Sequence, residues 1–222
     1  MKKEILKTTD GSYTLYVPDL DETYHSTNGA LQESQHVFIE AGLKFSGLKK
    51  LTVLEVGFGT GLNALTTFKE AEKSNLNIDF TSLEAYPLSW EEVSQLNYTC
   101  LEGYQEYSIP FNEMHSSDWA NFTTISPNFS LRKLNLKLQE LTFENTFDII
   151  YFDAFAPQIQ PELWTEEIFT LMYKALKNKG VLVTYSAKGS VKRALKSVGF
   201  ELQSIPGPPG KREMSRAVKG ND

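Results

Sequence analysis

Three acids stand where apolar runs stop, and each sits beside residues that can hold a ligand. Glu55 precedes the string Gly57-Phe58-Gly59-Thr60-Gly61-Leu62-Asn63 by two residues. Glu84 follows Glu55 by 29 residues, and Asp153 closes the run Phe147-Asp148-Ile149-Ile150-Tyr151-Phe152. Glycines at alternate positions let the chain take backbone angles a side chain forbids and let a ligand approach the main chain. The pattern lacks the third glycine of a dinucleotide fingerprint, because Leu62 stands there, and it lacks the Gly-Lys-Ser/Thr ending of a triphosphate loop. It suits a nucleoside with an amino-acid tail. A carboxylate at Glu84 would accept two hydrogen bonds from a ribose diol, and charged acceptors make the strong ones. The competing reading of Glu84 is a solvated surface acid. Asn63 either caps the helix that follows or orients the loop, and capping is the commoner use.

Asp153 has the clearest chemical implication. A carboxylate at the end of an apolar strand carries a high desolvation cost unless something there requires it. The segment after it, Ala154-Phe155-Ala156-Pro157 and then Gln160-Pro161-Glu162-Leu163-Trp164, is stiffened by two prolines. Phe155 offers a flat wall for a base, whereas Trp164 is better read as core. Three histidines without close pairing and one cysteine, Cys100, argue against a metal site and exclude an internal disulfide framework.

These groups need elements to position them. Residues 51–57, 78–86, 131–138, 147–155 and 180–186 read as strands, and 60–73, 88–96, 161–178 and 191–198 as helices. Weaker strands follow at 200–205 and 214–219. Ahead of them, 12–17 reads as a strand and 30–41 as a helix ended by Gly42. Residues 97–130 resist assignment. Alternation of strand and helix implies an α/β fold: a Rossmann-like, doubly wound, mostly parallel sheet with ligands at the carboxyl ends of its strands. The chain reads as one domain, with 1–50 an N-terminal strand/helix extension and 51–222 the core.

Composition sets the outer limits. A 222-residue chain with 41% hydrophobic and 23% charged residues folds in water. No apolar run approaches the roughly 20 residues of a membrane span, and the start has no secretory signal. A reducing cytoplasm is expected, with a monomer as the default. Net charge is −6, yet residues 188–222 carry eight Lys/Arg against three acids, +5, which leaves −11 for residues 1–187. That asymmetry points to an anionic partner at one end, against the plainer reading of a solvated basic helix and turn.

The ordered set of short motifs resembles the MnmC-like tRNA 5-methylaminomethyl-2-thiouridine methyltransferase family, within the class I S-adenosylmethionine-dependent methyltransferases. The resemblance runs through Glu22-Thr23-Tyr24-His25-Ser26, Glu33 and Val37-Phe38, the glycine loop from Glu55 to Asn63, and Ser82 to Leu88. It continues through Asp153 to Pro157, Pro161 to Thr165, Thr184-Tyr185-Ser186, Lys188-Gly189 and Gly210 to Met214. It implies S-adenosyl-L-methionine as cofactor, held by Glu55, Gly57, Gly59, Thr60, Gly61, Asn63, Glu84 and Ala85. It implies N-methylation of 5-aminomethyl-(2-thio)uridine at the tRNA wobble position, with Asp153 at the reacting nitrogen and no metal. The anticodon loop is the implied partner, met by Tyr24, His25 and Phe155 at the base and by Lys188, Lys211 and Arg212 at phosphates. For Tyr24 and His25 a packed aromatic and its hydrogen-bonded neighbour is an equal alternative; Arg212 has the alternative of pairing with Glu213 or another acid. The resemblance leaves no room for the flavin oxidase domain that many relatives carry. It departs at Lys137, where an acid near the adenine is usual. Alternatives are methyl transfer to another amine, or a non-catalytic RNA- or partner-binding module on the same fold.

Overall fold

In a computed structural model that describes residues 1–221, eight strands form one sheet with helices on both faces. The chain opens with β1 (Glu4–Lys7), β2 (Tyr13–Val17) and β3 (Glu22–Thr23), a small antiparallel sheet. A helical run follows: α1 (Ala30–Ser34), π turns over Gln35–Leu43, and α2 (Lys44–Ser46). Next come β4 (Lys50–Val56), α3 (Leu62–Ser74), β5 (Asn77–Leu83), α4 (Trp90–Val93), α5 (Ser108–Ser116), β6 (Phe122–Ser126) and β7 (Phe129–Leu134). The chain ends with β8 (Phe147–Phe152), α6 (Glu166–Ala175), β9 (Leu176–Thr184), α7 (Gly189–Ser197), β10 (Glu201–Pro206) and β11 (Glu213–Val218).

The large sheet has the order β10-β11-β9-β8-β4-β5-β7-β6. The pairs β9/β8, β8/β4, β4/β5 and β5/β7 are parallel; the outer pairs are antiparallel. The expected mostly parallel, doubly wound sheet is therefore observed. Strand order reverses beside β4, where the chain goes one way to β5 and the other way to β8, which opens a crevice at their carboxyl ends.

Period-two alternation explains why the strands read as continuous apolar runs. Ile149 and Tyr151 of β8 join Val53, Phe80 and Phe68 in the core on one face. Ile150 and Phe152 join Leu54, Trp164, Phe169 and Leu195 in the core on the other. Trp164 is core, as read, and its indole N–H donates to the Phe155 carbonyl at 2.8 Å.

Several boundaries differ from expectation. The first helix does not end at Gly42 but runs to Ser46, where Gly47 turns left-handed (φ 66°). Gly42 is needed for proximity: a Cβ there would lie 3.0 Å from Val183 Cγ2. The helix expected over 88–96 is a single turn, α4, held by a Ser89/Glu92 capping box. The helix expected over 161–178 is a tight turn at Pro161–Leu163 followed by α6, and Leu176–Asn178 belong to β9. The strand expected over 78–86 stops at Leu83, and Glu84 follows it with its N–H still donating to the Leu134 carbonyl of β7 at 3.0 Å.

Candidate active site

The carboxyl ends of β4, β5 and β8 converge through their own backbones. The N–H groups of Gly57 and Phe58 both donate to the Leu83 carbonyl, at 2.9 and 3.0 Å, and Asp153 N–H donates to Val56 O at 3.1 Å. Above this junction lies a cleft of about 1540 Å³ lined by Tyr24, His25, Glu33, Gly57, Gly59, Glu84, Ala85, Asp153, Phe155, Tyr185 and, at the rim, Lys188 and Arg212. Leu136 to Gln139, just after β7, complete one wall.

The glycine loop follows from geometry. Gly57, Gly59 and Gly61 all have positive φ (92°, 49° and 74°). A Cβ on Gly57 would sit 2.9 Å from the Asp153 carbonyl oxygen, and one on Gly59 would sit 3.2 Å from Tyr24 Cδ1. Glu84 braces the loop: its Oε2 accepts the Gly59 N–H at 2.9 Å and its Oε1 accepts the Tyr86 N–H at 2.8 Å. Each oxygen keeps further acceptor capacity, and Glu84 lines the cleft.

Glu55, Thr60, Gly61 and Asn63 are buried behind the lining. Glu55 accepts the Ser82 hydroxyl on Oε2 at 2.5 Å, while Oε1 has no partner among the described residues. Burial, reinforced by the Asp153 and Glu84 charges and opposed by the Ser82 hydrogen bond, pushes its carboxyl well above the usual range. The Thr60 hydroxyl is hydrogen-bonded to His25 Nε2 at 2.7 Å and accepts the Tyr98 phenol at 3.2 Å. Burial drives the His25 pKa down to about 4, leaving a neutral ring.

Asn63 is not the helix cap; Gly61 holds that position with no side-chain cap. Its amide instead donates to Asp153 Oδ2 at 2.7 Å and accepts the Ser34 hydroxyl at 2.7 Å. With the Asn63 amide nitrogen donating to it, Asp153 Oδ2 is an acceptor. Burial raises the Asp153 pKa to about 7, and the Glu33 charge adds to this, against the Asn63 hydrogen bond and the Lys211 charge.

Glu33 and Ser34 were absent from the expected site residues, as was any partner for Lys211. Glu33, on α1 and buried, accepts the Ser26 N–H on Oε2 at 2.9 Å and the Lys211 ammonium on Oε1 at 2.8 Å. Lys211 is thus engaged inside the cleft rather than free for a phosphate. Lys188 donates to Gln158 Oε1, and Lys192 pairs with Glu213 at 2.8 Å. Arg212 does not pair with Glu213: its guanidinium makes no ion pair among the described residues. Tyr24 and Phe155 meet edge to face, centroids 5.1 Å apart.

Residues 102–220 match the family model described as S-adenosyl-L-methionine-dependent methyltransferase. The chain belongs to that family. The methyltransferase is 33% identical over 212 residues to the tRNA 5-methylaminomethyl-2-thiouridine biosynthesis bifunctional protein MnmC of Idiomarina loihiensis, covering 87% of this chain and 35% of the relative. It is 29% identical over 232 residues to the protein of that name from Cupriavidus metallidurans, covering 96% of this chain and 33% of the relative. The chain spans about a third of the length of these curated relatives. The crystal structure of MNMC2 from Aquifex aeolicus superposes with a TM-score of 0.80 at 28% identity, over 99% of this chain and 71% of that one. Spermidine synthase from Thermotoga maritima shares the fold, with a TM-score of 0.54 at 18% identity.

The methyltransferase's cofactor is S-adenosyl-L-methionine, and the cleft fits it. Two left-handed glycines, Gly57 and Gly59, bring backbone to the cleft, an acid with spare acceptor capacity stands at the end of β5, and the buried Glu55 Oε1 lacks a partner among the described residues. Among the described residues no helix is long and apolar enough to cross a membrane, and no three His, Cys, Asp or Glu side chains group to hold a metal.

Proposed function

We propose that this methyltransferase acts on the primary amine of 5-aminomethyl-(2-thio)uridine at the tRNA wobble position, yielding the methylaminomethyl base and S-adenosylhomocysteine. The observation that carries this reading is Asp153: a carboxyl at the cleft, one oxygen pinned by Asn63 and the other open, with a pKa near neutrality. The name of the bifunctional relatives supplies the substrate class.

When bound, S-adenosyl-L-methionine supplies a methyl group already activated by its sulfonium. The chain's residues then have three tasks. Glu84 and Ala85 would hold the ribose edge, and the backbone of Gly57 and Gly59 would admit the amino-acid tail, with Thr60 and Gly61 shaping the loop from behind. Glu55 stands beneath the loop, buried behind the lining, with Oε1 uncommitted among the described residues. Asp153 accepts a hydrogen bond from the incoming nitrogen through Oδ1, stabilises the positive charge that grows there, and secondarily takes its proton. Asn63 orients Asp153. Tyr24 and Phe155 present aromatic surface to an unstacked base, with His25 locking Thr60 behind them. Lys188 and Arg212 lie at the exposed rim for phosphates. The enzyme works in the cytoplasm as a monomer in this reading.

Incubation of the protein with undermodified tRNA and labelled cofactor, followed by nucleoside mass spectrometry, tests the proposal. Label in the methylaminomethyl nucleoside supports it; label on a different base, or only on a small amine, refutes it. Glu84→Ala is expected to weaken S-adenosylhomocysteine binding about tenfold or more, since hydrogen bonds to a charged acceptor contribute about 1.5–3 kcal/mol. Unaltered affinity by calorimetry would remove Glu84 from the ribose. Arg212→Ala is expected to lower the salt slope of tRNA binding by about 1. An identical slope would place that guanidinium away from phosphate.

A further inference from the structure

The Lys211 ammonium sits in a cage. Glu33 Oε1 lies 2.8 Å from it, and the Tyr185 ring centroid lies 3.9 Å away, under the charge. A carboxylate and an aromatic face are how proteins recognise a primary ammonium. Both walls belong to the body of the fold. Glu33 is anchored by the Ser26 N–H, and the Tyr185 phenol donates to the Ala154 carbonyl at 2.8 Å, next in the chain to Asp153. The occupant comes from elsewhere, the turn between β10 and β11, which closes through Lys211 N–H to Pro208 O at 2.9 Å. The cage opens into the same cleft as Asp153, and the charges of Glu33 and Lys211 both reach that carboxyl, in opposite senses.

We propose that Glu33 and Tyr185 form the subsite that receives the substrate's primary amine in its ammonium form, and that Lys211 fills this subsite until the substrate displaces it. The inference rests on the function proposed above, for which it names the point where the amine first docks; methyl transfer follows only after that ammonium has released a proton to solvent and turned its lone pair to the cofactor. A buried carboxylate without a cation is unfavourable. Exchange of one ammonium for another never leaves Glu33 in that state. Displaced Lys211 is carried outward on its turn, beside Arg212 at the rim. The cage also discriminates: a wobble side chain that ends in a carboxylate would bring like charge against Glu33, whereas a free aminomethyl group reproduces the resident lysine.

Two experiments separate this inference from the function it rests on. In the first, propylammonium chloride is titrated into wild type, Lys211→Met and Lys211→Met/Glu33→Gln, each shown folded by thermal unfolding, with NMR shifts of backbone amides near residues 26, 33 and 185 as the readout. Lys211→Met is expected to bind propylammonium about tenfold more tightly than wild type, the effect of removing a competing ion pair of roughly 1.4 kcal/mol. The double variant is expected to lose that binding. Equal affinity in wild type and Lys211→Met, or full binding by the double variant, overturns the proposal. In the second, KM is measured for tRNA bearing wobble 5-aminomethyluridine. Lys211→Met should lower it and Glu33→Gln should raise it, each by about tenfold. If Lys211→Met does not fold, Glu33→Gln alone decides: a raised KM supports the subsite and an unchanged KM refutes it. Wild type that methylates tRNA while both variants keep its KM refutes the subsite and leaves the function standing. The expected gain in Lys211→Met and loss in the double variant, alongside a wild type that methylates no tRNA, support the cage and refute the function.

Discussion

Asp153→Asn is expected to slow methyl transfer to the wobble amine by about 10²- to 10⁴-fold, the usual contribution of a positioned acid–base group. Affinity for S-adenosylhomocysteine should survive, because the glycine loop and Glu84 are untouched. The substituted amide can still meet Asn63 through its oxygen, so the fold has no reason to move. What disappears is an anionic oxygen facing the nitrogen as its charge develops. Wild-type kcat/KM should therefore rise with pH through about 7, where Asp153 ionises, and the limb due to this group should vanish in the variant. Retention of full turnover at saturating substrate would end the assignment.

The same substitution has an expected effect on stability of opposite sign. The folded-state pKa of Asp153 is raised from 3.8 to about 7. A raised carboxyl adds to stability below pH 3.8, and that contribution is lost as pH climbs through the folded value, because the native state then holds an ionised, partly desolvated group. At pH 8 Asp153→Asn should be more stable than wild type by about 1–3 kcal/mol, and near pH 3 the difference should shrink. Denaturant melts at the two pH values check this. A variant less stable at pH 8 would mean that ionised Asp153 has better partners than the structure provides.

Gly57→Ala is the second large effect. A side chain at φ 92° is strained by about 1–3 kcal/mol on its own. Here the new Cβ would also lie 2.9 Å from the Asp153 carbonyl oxygen, a backbone atom with no rotamer to escape into. Either the loop lifts or the end of β8 shifts, and both carry Asp153 away from the cofactor loop. A displacement of about 1 Å at a reacting group costs about 10²-fold in rate. Gly47→Ala is the control: its φ is 66°, but nothing lies within 4 Å of the added carbon, so the cost is strain alone and turnover should hold. Equal losses of turnover in both variants would show that backbone strain, not the contact with Asp153, is what matters.

The functional strands were legible because they are buried on both faces, which makes them apolar runs that end abruptly. The end of such a run marks the cleft, so Glu84 and Asp153 could be picked out before any coordinates. Other features left no such mark. β1 is a four-residue edge strand, Glu-Ile-Leu-Lys, in which only Ile5 is partly buried, too short for an alternating pattern. The change from α6 to β9 at Leu176 happens without a turn residue, so the helical pattern read on through it. Gly42 carries the usual sign of a helix end, but its value is in closeness to β9, a tertiary fact. Asn63 and Lys211 were noticed as residue types, yet their partners, Asp153 and Glu33, lie 90 and 178 positions away. A hydrogen bond of that span has no periodicity to betray it.

The distance between Glu33 and Lys211 along the chain bears on how the enzyme comes into being. The glycine loop and Glu84 lie at the ends of the neighbouring strands β4 and β5, so that half of the crevice needs only short-range pairing. The amine end joins a segment translated early to one translated late, and closing such a long loop is entropically slow. Maturation should thus proceed in two stages, with nucleoside affinity emerging first and selectivity for the nitrogen acceptor only once the last hairpin has docked.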